Sequence, residues 1–283
     1  MNDATTRLRE AMVAQLERAG VLRTPAVAAA MRAVPRHLFL PGLALDDAYA
    51  DRAVALKTDG SQIVSSVSQP AMIALMLELL AASPGDRLLE IGTGSGYNAA
   101  LLAEIVGPSG SVTTLDLDAE LAERAAAVLR ELGYATVRVT AADGGAAVSE
   151  SGAFDGVIVT ARSDDVASAW WRALARRARL VLPLRLEGAG EYAVGFSLEC
   201  DGRLHSVGVH PCAFIALRGE AAVESTSTIF YRHPETRGSS PACLRAVAEI
   251  TAVRRENATP ALLGDADVVI ARPVSVFAVT FAA

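Results

Sequence analysis

A glycine-rich segment, LLEIGTGSGYNAA at residues 88–100, carries the most specific chemical signal in the sequence. It joins a short apolar run, predicted to be a strand, to a helix that begins near Tyr97. Glycines at positions 92, 94 and 96 let the backbone approach a ligand where a Cβ would intrude. Such strand–loop–helix turns bind nucleotides at the carboxyl edge of a parallel sheet. The alternative is a structural glycine turn that binds nothing.

The spacing of these glycines discriminates between nucleotide ligands. A dinucleotide fingerprint, G-x-G-x-x-G, would require a glycine at position 97, where this chain has Tyr97. The observed pattern, E-x-G-x-G-x-G, is typical of proteins that bind S-adenosylmethionine (SAM). We therefore expect the loop to surround the methionine part of SAM, with Glu90 engaging its amino group directly or through water.

Two acidic residues farther along the chain fit the rest of such a ligand. Asp116 ends the next predicted strand, where a carboxylate can accept hydrogen bonds from both ribose hydroxyls. Dinucleotide enzymes share this feature, so Asp116 alone does not discriminate. Asp143 and Gly144 follow the third strand, where the carboxylate can accept from the adenine amino group and the glycine leaves room for the ring. A solvated turn carboxylate is the alternative for Asp143.

Strands and helices alternate between residues 87 and 183, which predicts a doubly wound, mostly parallel α/β sheet. Three helices are predicted before it, and residues 34–69 between the second and third are predicted to be a long loop without helical period. The predicted helices are 5–19, 24–33, 70–82, 97–106, 118–132 and 165–176, and the predicted strands are 87–91, 111–116, 137–140, 156–160 and 179–183.

The alternation of strands and helices ends after the last predicted parallel strand. A hairpin is predicted over 191–199 and 203–210, joined by an Asp-Gly pair, and 212–217 is a candidate last strand. Residues 1–219 are predicted to form one domain, and 220–283 a C-terminal α+β extension. Within the extension we expect a helix from 240 to about 255 and strands at 266–271 and 274–281.

Composition excludes several classes of function. The formal net charge of −6 argues against a nucleic-acid partner, which needs clustered lysine and arginine. Three cysteines and four histidines show no ligand spacing, so no metal site is predicted. The charged N-terminus lacks the apolar core of a signal peptide, and no apolar run is long enough for a membrane span. A cytoplasmic location without membrane contact is expected.

Taken together, these motifs make the chain similar to the protein L-isoaspartate O-methyltransferase family over about residues 8–219. The likeness rests on VPRHLFLP (34–41), AYADRA (48–53), SQP (68–70), the segment 88–100, DG (143–144), FDGVIVTA (154–161), RLVLP (179–183) and FIALRG (214–219). The resemblance implies a Rossmann-like class I SAM-dependent methyltransferase fold. It also implies methyl transfer to the free carboxylate of an isoaspartyl or aspartyl residue in a peptide or protein, with S-adenosylhomocysteine as product.

The resemblance also assigns site residues. Ser68, just before Gln-Pro, corresponds to an active-site serine, although Ser68 is equally a candidate N-cap for the helix that begins at Pro70. The cofactor residues expected are Glu90, Gly92, Thr93, Gly94, Gly96, Asn98, Asp116, Leu117, Asp143, Gly144 and Thr160. The substrate residues expected are Lys57, Ser65, Ser66 and Gln69.

Departures from the family pattern bear on the substrate. The segment ALKTDGSQIVSSVSQP (55–70) is several residues longer than usual, Arg177-Ala178 replaces a Gly-Gly pair, and 220–283 has no counterpart in the short housekeeping enzyme. These differences favour the branch that modifies ribosomally made peptides such as lanthipeptides, where the methyl ester of an Asp in a cyclised precursor collapses to aspartimide. Housekeeping repair of isoaspartyl proteins is the main alternative. A tRNA adenine-N1 methyltransferase and a non-catalytic peptide-binding module are two further alternatives, disfavoured by the acidic charge and by the intact glycine segment.

Overall fold

The computed structural model describes residues 3–145, 152–186, 190–200, 202–219, 222, 227–232, 249–254 and 269–271. The helices are α1 Asp3–Arg18, α2 Pro25–Ala33, α3 Leu45–Tyr49, α4 Pro70–Leu80, α5 Tyr97–Val106, α6 Ala119–Glu131 and α7 Ser168–Ala173, with a 3₁₀ turn at Arg36–Phe39. The strands are β1 Val54–Asp59, β2 Gln62–Val67, β3 Arg87–Ile91, β4 Ser111–Asp116, β5 Val137–Ala141, β6 Phe154–Val159, β7 Leu174–Leu186, β8 Gly190–Leu198, β9 Leu204–Pro211, β10 Ser227–Arg232, β11 Glu249–Arg254 and β12 Val269–Ala271.

The central sheet has the strand order β12-β10-β11-β9-β8-β7-β6-β3-β4-β5 among the described residues. Strands β3 to β7 pair in parallel, whereas β8 and β9 pair antiparallel at the side of β7. The predicted doubly wound, mostly parallel sheet of the methyltransferase class is thus confirmed. The chain runs from β3 to β5 in one direction and then crosses to β6 on the other side of β3. That reversal opens a crevice beyond the carboxyl ends of the strands, the usual ligand position in such sheets.

Both faces of the central parallel strands β3 and β6 are buried, as parallel sheets require. Successive strand residues point to opposite faces, so Leu88 packs with helices α1, α2, α4 and α5 while Leu89 packs on the face covered by Trp170. The burial of both residues is essentially complete. This two-sided packing makes the strand ends a rigid base for the loops that follow them.

The predicted loop at 34–69 is wrong for much of its length. Strands β1 and β2 form an antiparallel hairpin, and its turn contains Gly60 with a positive φ of 57°. The Asp-Gly pair at 59–60 is a hairpin signal, but the strands beside it have a mixed burial pattern with no clean alternation. Helix α3 and the 3₁₀ turn also lie within this segment. A period-based analysis misses such a hairpin because most of its residues face a cavity or solvent.

The predicted helix at 165–176 is also too long. Helix α7 ends at Ala173, and β7 begins at once with Leu174 because β6 and β8 pair with it on both sides. Sheet pairing here overrides the helix propensity of an alanine- and arginine-rich run. Arg177 adopts a φ of 61°, the left-handed region that favours glycine, beside an irregularity in the β6–β7 register. The Gly-Gly pair that Arg177-Ala178 replaces would fit this backbone without strain.

Predictions for the C-terminal part have mixed outcomes. The hairpin over 191–199 and 203–210 is confirmed as β8 and β9. Residues 212–217 are not a strand, since only an isolated parallel bridge joins Ala216 to Arg162. The helix expected up to about residue 255 is wrong over its last turns, because Glu249–Arg254 is strand β11, which pairs with β9 and β10.

Other expectations for this part fall partly outside the described residues. Strand β12 lies within the predicted strand at 266–271, whereas 240–248 and 274–281 are outside the described part. The division of the chain at residue 219 stays a prediction. Among the described residues, no helix is long and apolar enough to cross a membrane, and the cytoplasmic location also stays a prediction.

Candidate active site

A cavity of about 680 Å³ opens at the carboxyl edge of the sheet. Its floor is formed by the loops after β3, β4, β5 and β6, and its walls by the β1–β2 hairpin and the segment 211–218. The predicted site residues that line it are Ser65, Ser66, Ser68, Gln69, Gly92, Gly94, Asp116, Leu117, Gly144 and Thr160. Folding therefore brings predicted cofactor and substrate residues, which are far apart in the sequence, to a single cavity.

The glycine loop (residues 92–96) is shaped by its neighbours as much as by any ligand. Gly92 has a φ of 99°, and a Cβ there would lie 2.3 Å from the hydroxyl oxygen of Thr160. That hydroxyl donates to the Gly92 carbonyl oxygen at 2.7 Å. Gly94 has a φ of 53°, but a Cβ there would meet its nearest neighbour, Leu56, only at 3.6 Å. The two glycines thus differ sharply in how much space a side chain would find.

Asp116 lies at the end of β4 with a nearly buried carboxylate that lines the cavity. Its two oxygens accept from the backbone N–H of Gly94 at 2.8 Å and of Asp118 at 2.9 Å. Each carboxylate oxygen has a second lone pair, so Asp116 can still accept from a diol in the cavity. Leu117 beside it is 46% exposed and offers an apolar surface for a flat ring. These features fit the nucleoside part of SAM.

Glu90 lies behind the glycine loop, fully buried and away from the cavity lining. One carboxylate oxygen accepts from Thr114 Oγ1 at 2.6 Å and the other from Asn98 Nδ2 at 2.7 Å. Burial raises the pKa of Glu90 to about 7, while these hydrogen bonds act in the opposite direction. The hydroxyl of Thr93 lies 2.7 Å from that of Thr114. This network joins the glycine loop to β4, and a contact between Glu90 and the cofactor stays a prediction.

Thr93 and Asn98 line a smaller hollow of about 40 Å³, next to the main cavity, which Ser68 and Gly94 also line. Gly96 lies outside both spaces, because a Cβ there would come 3.2 Å from Ala125 on α6. The glycine at this position therefore lets α5 begin close against α6. A contact between Gly96 and the cofactor stays a prediction.

Asp143 also lies outside the cavity lining, although the neighbouring Gly144 belongs to it. One Asp143 oxygen accepts from the backbone N–H of Gly145 at 2.7 Å. The other lies against Gly219, where an added Cβ would be only 2.1 Å away. A Cβ at Gly144 would lie 2.4 Å from Ile91 Cγ2, so Gly144 is required by packing. A contact between Asp143 and adenine stays a prediction.

Lys57 is directed away from the cavity that the other predicted substrate residues line. Its Nζ lies 2.6 Å from Asp118 Oδ2 and 3.0 Å from Glu120 Oε2, at the first turn of α6. The hydrogen bond to Asp118 raises the pKa of Lys57. The ammonium group of Lys57, which was expected to bind substrate, is paired with these two carboxylates. Lys57 instead attaches the β1–β2 hairpin to α6.

The alternative role of Ser68 as a helix cap is wrong. Helix α4 has Gln69 at its N-cap position, without a capping hydrogen bond from that side chain. The free N–H of Ala71 donates instead to Asp51 Oδ1 at 2.8 Å, and Gln69 Nε2 lies 3.4 Å from Asp51 Oδ2. The backbone carbonyl of Ser68 accepts from Arg36 Nη2 at 3.0 Å. This bond uses only the backbone of Ser68, which is one of the residues that line the cavity.

The far wall of the cavity was missed by sequence reasoning. Glu191 accepts from Arg162 Nη1 at 2.8 Å and from the backbone N–H of Phe214 at 3.2 Å. Arg162 also exchanges backbone hydrogen bonds with Ile215 and Leu217, both at 2.8 Å. The motif at 214–219 indicated this segment, but nothing in the sequence pointed to its ion pair. Arg36 and Asp51 were missed in the same way, although both lie in quoted motifs.

Two further observations concern a cysteine and the metal-ligating side chains among the described residues. Burial, followed by the neighbouring Glu191, raises the pKa of Cys212 to about 12, so this cavity-lining thiol stays protonated and is a poor nucleophile. No group of three or more metal-ligating side chains occurs in the described part of the chain.

Comparison with known proteins agrees with this geometry. The family model "Protein-L-isoaspartate(D-aspartate) O-methyltransferase (PCMT)" matches residues 7–222. Protein-L-isoaspartate O-methyltransferase 2 of Archaeoglobus fulgidus is 36% identical over 69% of this chain and 86% of its own length. Protein-L-isoaspartate O-methyltransferase 1 of Rhodopseudomonas palustris is 35% identical over 86% of this chain and 95% of its own length.

A solved structure gives the same result in three dimensions. A protein-L-isoaspartate O-methyltransferase superimposes with a TM-score of 0.68 and 29% identity, covering 76% of this chain and 67% of that one. The family uses SAM, the cofactor that the glycine loop and Asp116 fit. This chain belongs to the protein-L-isoaspartate(D-aspartate) O-methyltransferase family and is a SAM-dependent protein carboxyl methyltransferase.

Proposed function

We propose that this chain methylates the free carboxylate of isoaspartyl residues in proteins or peptides, the repair activity for which its relatives are named. The observation that carries the proposal is the position of Ser68, which lines both the main cavity and the hollow beside the glycine loop. An acceptor at Ser68 would therefore lie next to a methyl donor held by that loop. The sequence alone favoured modification of a ribosomally made peptide and gave isoaspartyl repair as the alternative, whereas we now prefer isoaspartyl repair.

The C-terminal extension is a weaker argument for a different substrate than the sequence suggested. The alignment with the Rhodopseudomonas palustris enzyme spans 246 residues of this chain, so it must reach into 220–283. A protein named as an isoaspartyl methyltransferase thus shares part of this region. The RNA methyltransferase and non-catalytic alternatives have no support from the relatives, which are carboxyl methyltransferases.

The chain's own residues have a positioning task in this reaction. Bound SAM supplies an activated methyl group, and a carboxylate with an ordinary pKa of about 4 is already ionised at pH 7. No general base is needed. The hydroxyl of Ser68 would orient one acceptor oxygen, while Asp116 and the glycine loop hold the donor and the hairpin excludes water. Orientation of this kind contributes several kcal/mol, up to about ten.

The product ester reacts further without the enzyme. Methylation converts the carboxylate into an ester whose leaving group is methoxide. The backbone nitrogen of the following residue attacks the ester carbonyl, closes a five-membered succinimide and releases methanol. Hydrolysis of the succinimide converts a fraction of the substrate molecules to the normal aspartyl form.

One observation favours a second candidate, methylation of an aspartyl residue in a cyclised ribosomal peptide. Ile63 on the extended hairpin is 50% exposed and lines the cavity. An apolar side chain at this position suits a substrate with its own rigid apolar surface. This candidate retains the same site and reaction and differs only in the acceptor.

Methyl transfer from isotopically labelled SAM would test the proposal with three acceptors. These are a short isoaspartyl peptide, its normal aspartyl isomer as matched control, and a cyclised aspartyl peptide. We expect rapid labelling of the isoaspartyl peptide alone. Labelling of the cyclised aspartyl peptide with a far higher kcat/KM would instead support the second candidate, and labelling of neither would contradict both.

A further inference from the structure

Arg36 is a fully buried cation whose contacts reach three separate segments of the chain. Its Nε donates to the Ala48 carbonyl oxygen at 2.9 Å, and its Nη2 donates to the Ser68 carbonyl oxygen at 3.0 Å. The guanidinium carbon lies 4.9 Å from the centre of the Tyr97 ring, at the first position of α5. Arg36 therefore joins the segment before the hairpin, the peptide that carries Ser68 and the end of the glycine loop.

Asp51 contacts the residues that directly follow Ser68, at the start of α4. Its carboxylate accepts from the Ala71 N–H at 2.8 Å and lies 3.4 Å from Gln69 Nε2. The backbone around Ser68 is thus fixed on its carbonyl side by Arg36 and on the following turn by Asp51. None of these bonds uses the Ser68 hydroxyl, and Ser68 is one of the residues that line the cavity.

Packing alone does not explain an arginine at this position, because burying its charge destabilises the folded protein. Burial lowers the pKa of Arg36, so the protein destabilises the charged form of this side chain. Two neutral carbonyl oxygens, the Tyr97 side chain and the nearby Asp51 carboxylate favour the charged form, but desolvation is the larger effect on the pKa of Arg36. An apolar side chain of similar length could occupy such a site at lower cost. What it could not do is donate to the Ser68 carbonyl.

We propose that Arg36 is a positioning residue for methyl transfer, which fixes the Ser68 peptide so that the Ser68 hydroxyl meets the acceptor carboxylate. The inference rests on the orienting role proposed for Ser68. A displacement of about 1 Å in such a group is enough to reduce the rate by roughly 100-fold. Arg36 needs no contact with either SAM or substrate for this effect.

A double-mutant cycle between Arg36→Lys and Ser68→Ala separates positioning from general stability. Lysine keeps the charge but lacks the planar fork that reaches two carbonyls together. We expect Arg36→Lys to lower kcat with the isoaspartyl peptide by about 10- to 100-fold while the Kd for SAM changes less than about threefold. In the Ser68→Ala background the same change should reduce kcat by less than about threefold.

Arg9→Lys is the matched control, since Arg9 is also a buried arginine, with His37 and Tyr49 among its electrostatic neighbours. It should lower Tm without changing kcat at temperatures where the protein is folded. If Arg36→Lys does not fold, Arg36→Met fills the same space without a charge and should fold with a similarly reduced kcat.

The possible outcomes are distinct. Multiplicative losses in the double variant, or a normal kcat in a folded Arg36 variant, would overturn the positioning role and leave the proposed function intact. A fully active Ser68→Ala enzyme would overturn the roles of both Ser68 and Arg36. Failure of the wild-type enzyme to methylate the isoaspartyl peptide would refute the proposed function itself.

Discussion

The two sides of the cavity are built in different ways. On the candidate cofactor side, the glycine loop follows β3, and hydrogen bonds from Asp116 and the Glu90–Thr114–Asn98 network join it to the neighbouring parallel strand β4. On the substrate side, the β1–β2 hairpin pairs with itself and not with the central sheet, and an ion pair from Lys57 attaches it to α6. The comparison predicts that changes on the cofactor side are severe, and that changes on the hairpin are milder than changes at Ser68, which follows it.

The largest effect is expected within the glycine loop, where Gly92 and Gly94 form a matched pair. Both have positive φ, so alanine at either position carries a strain of about 1–2 kcal/mol. At Gly92 the new Cβ would also lie 2.3 Å from Thr160. Gly92→Ala should weaken SAM binding by about 100-fold or more, and Gly94→Ala by about 10-fold. Titration calorimetry with SAM would measure both, and equal losses would remove the distinction between the two glycines.

Ser68→Ala tests whether the Ser68 hydroxyl orients the acceptor carboxylate next to the bound cofactor. We expect kcat/KM to fall by about 10- to 1,000-fold because the acceptor carboxylate loses an orienting hydroxyl. The Tm should not change, since Asp51 caps α4. Asp51→Ala is the converse control and should lower the free energy of unfolding by about 1 kcal/mol through loss of the cap. A lower Tm with normal turnover in Ser68→Ala would contradict this assignment.

Asp116→Ala removes the carboxylate that organises the glycine loop and faces the cavity. SAM binding should weaken by about 1–3 kcal/mol through lost hydrogen bonds, with the fold retained. Asp116→Asn separates the two contributions, because an amide retains one acceptor oxygen for the N–H of Gly94 or Asp118. Undiminished affinity in Asp116→Ala, measured by the same titration, would limit Asp116 to a structural role.

The buried Glu90 predicts a pH dependence of stability. Its pKa is raised from 4.5 in the unfolded chain to about 7 in the folded one. The folded state therefore holds a proton that the unfolded state releases, so this contribution is complete below pH 4.5 and is lost as the pH rises toward 7. In Glu90→Gln, the free energy of unfolding measured with urea should therefore depend less on pH between 4.5 and 7. An unchanged slope in the variant would show that Glu90 is ionised in the folded protein.

The smallest effect is expected at Lys57. Its ion pair with Glu120 is exposed and its pair with Asp118 is partly buried. Ion pairs near the protein surface contribute little to stability. Lys57→Met should leave Tm unchanged and raise the KM for peptide by only about two- to fivefold through a looser hairpin. The KM of the wild type should rise in the same way at high salt, which screens such pairs. A large loss of kcat in Lys57→Met would place this lysine at the substrate after all.

How much of this site the sequence could predict depends on where each residue lies relative to its partners. Gly92, Gly94 and Asp116 were expected at the cofactor. They line the cavity because they lie at the ends of strands that meet at one sheet edge, and their contact with the cofactor stays a prediction. Gly96 carried the same signal, yet it is explained by its contact with Ala125 on another helix. Lys57 was assigned to the substrate because its charge partners, 61 and 63 residues away, leave no local trace.

By itself, the sequence determined the alternation of strands and helices, the family and its cofactor, since these follow from local periodicity and contiguous motifs. Only the tertiary structure decided that 54–67 is a hairpin, that Asp51 caps α4 in place of Ser68, and that Arg36 holds the Ser68 peptide. The physical reason is the same in each case. A hydrogen bond or ion pair between distant segments depends on how those segments pack, and a linear pattern does not contain that geometry.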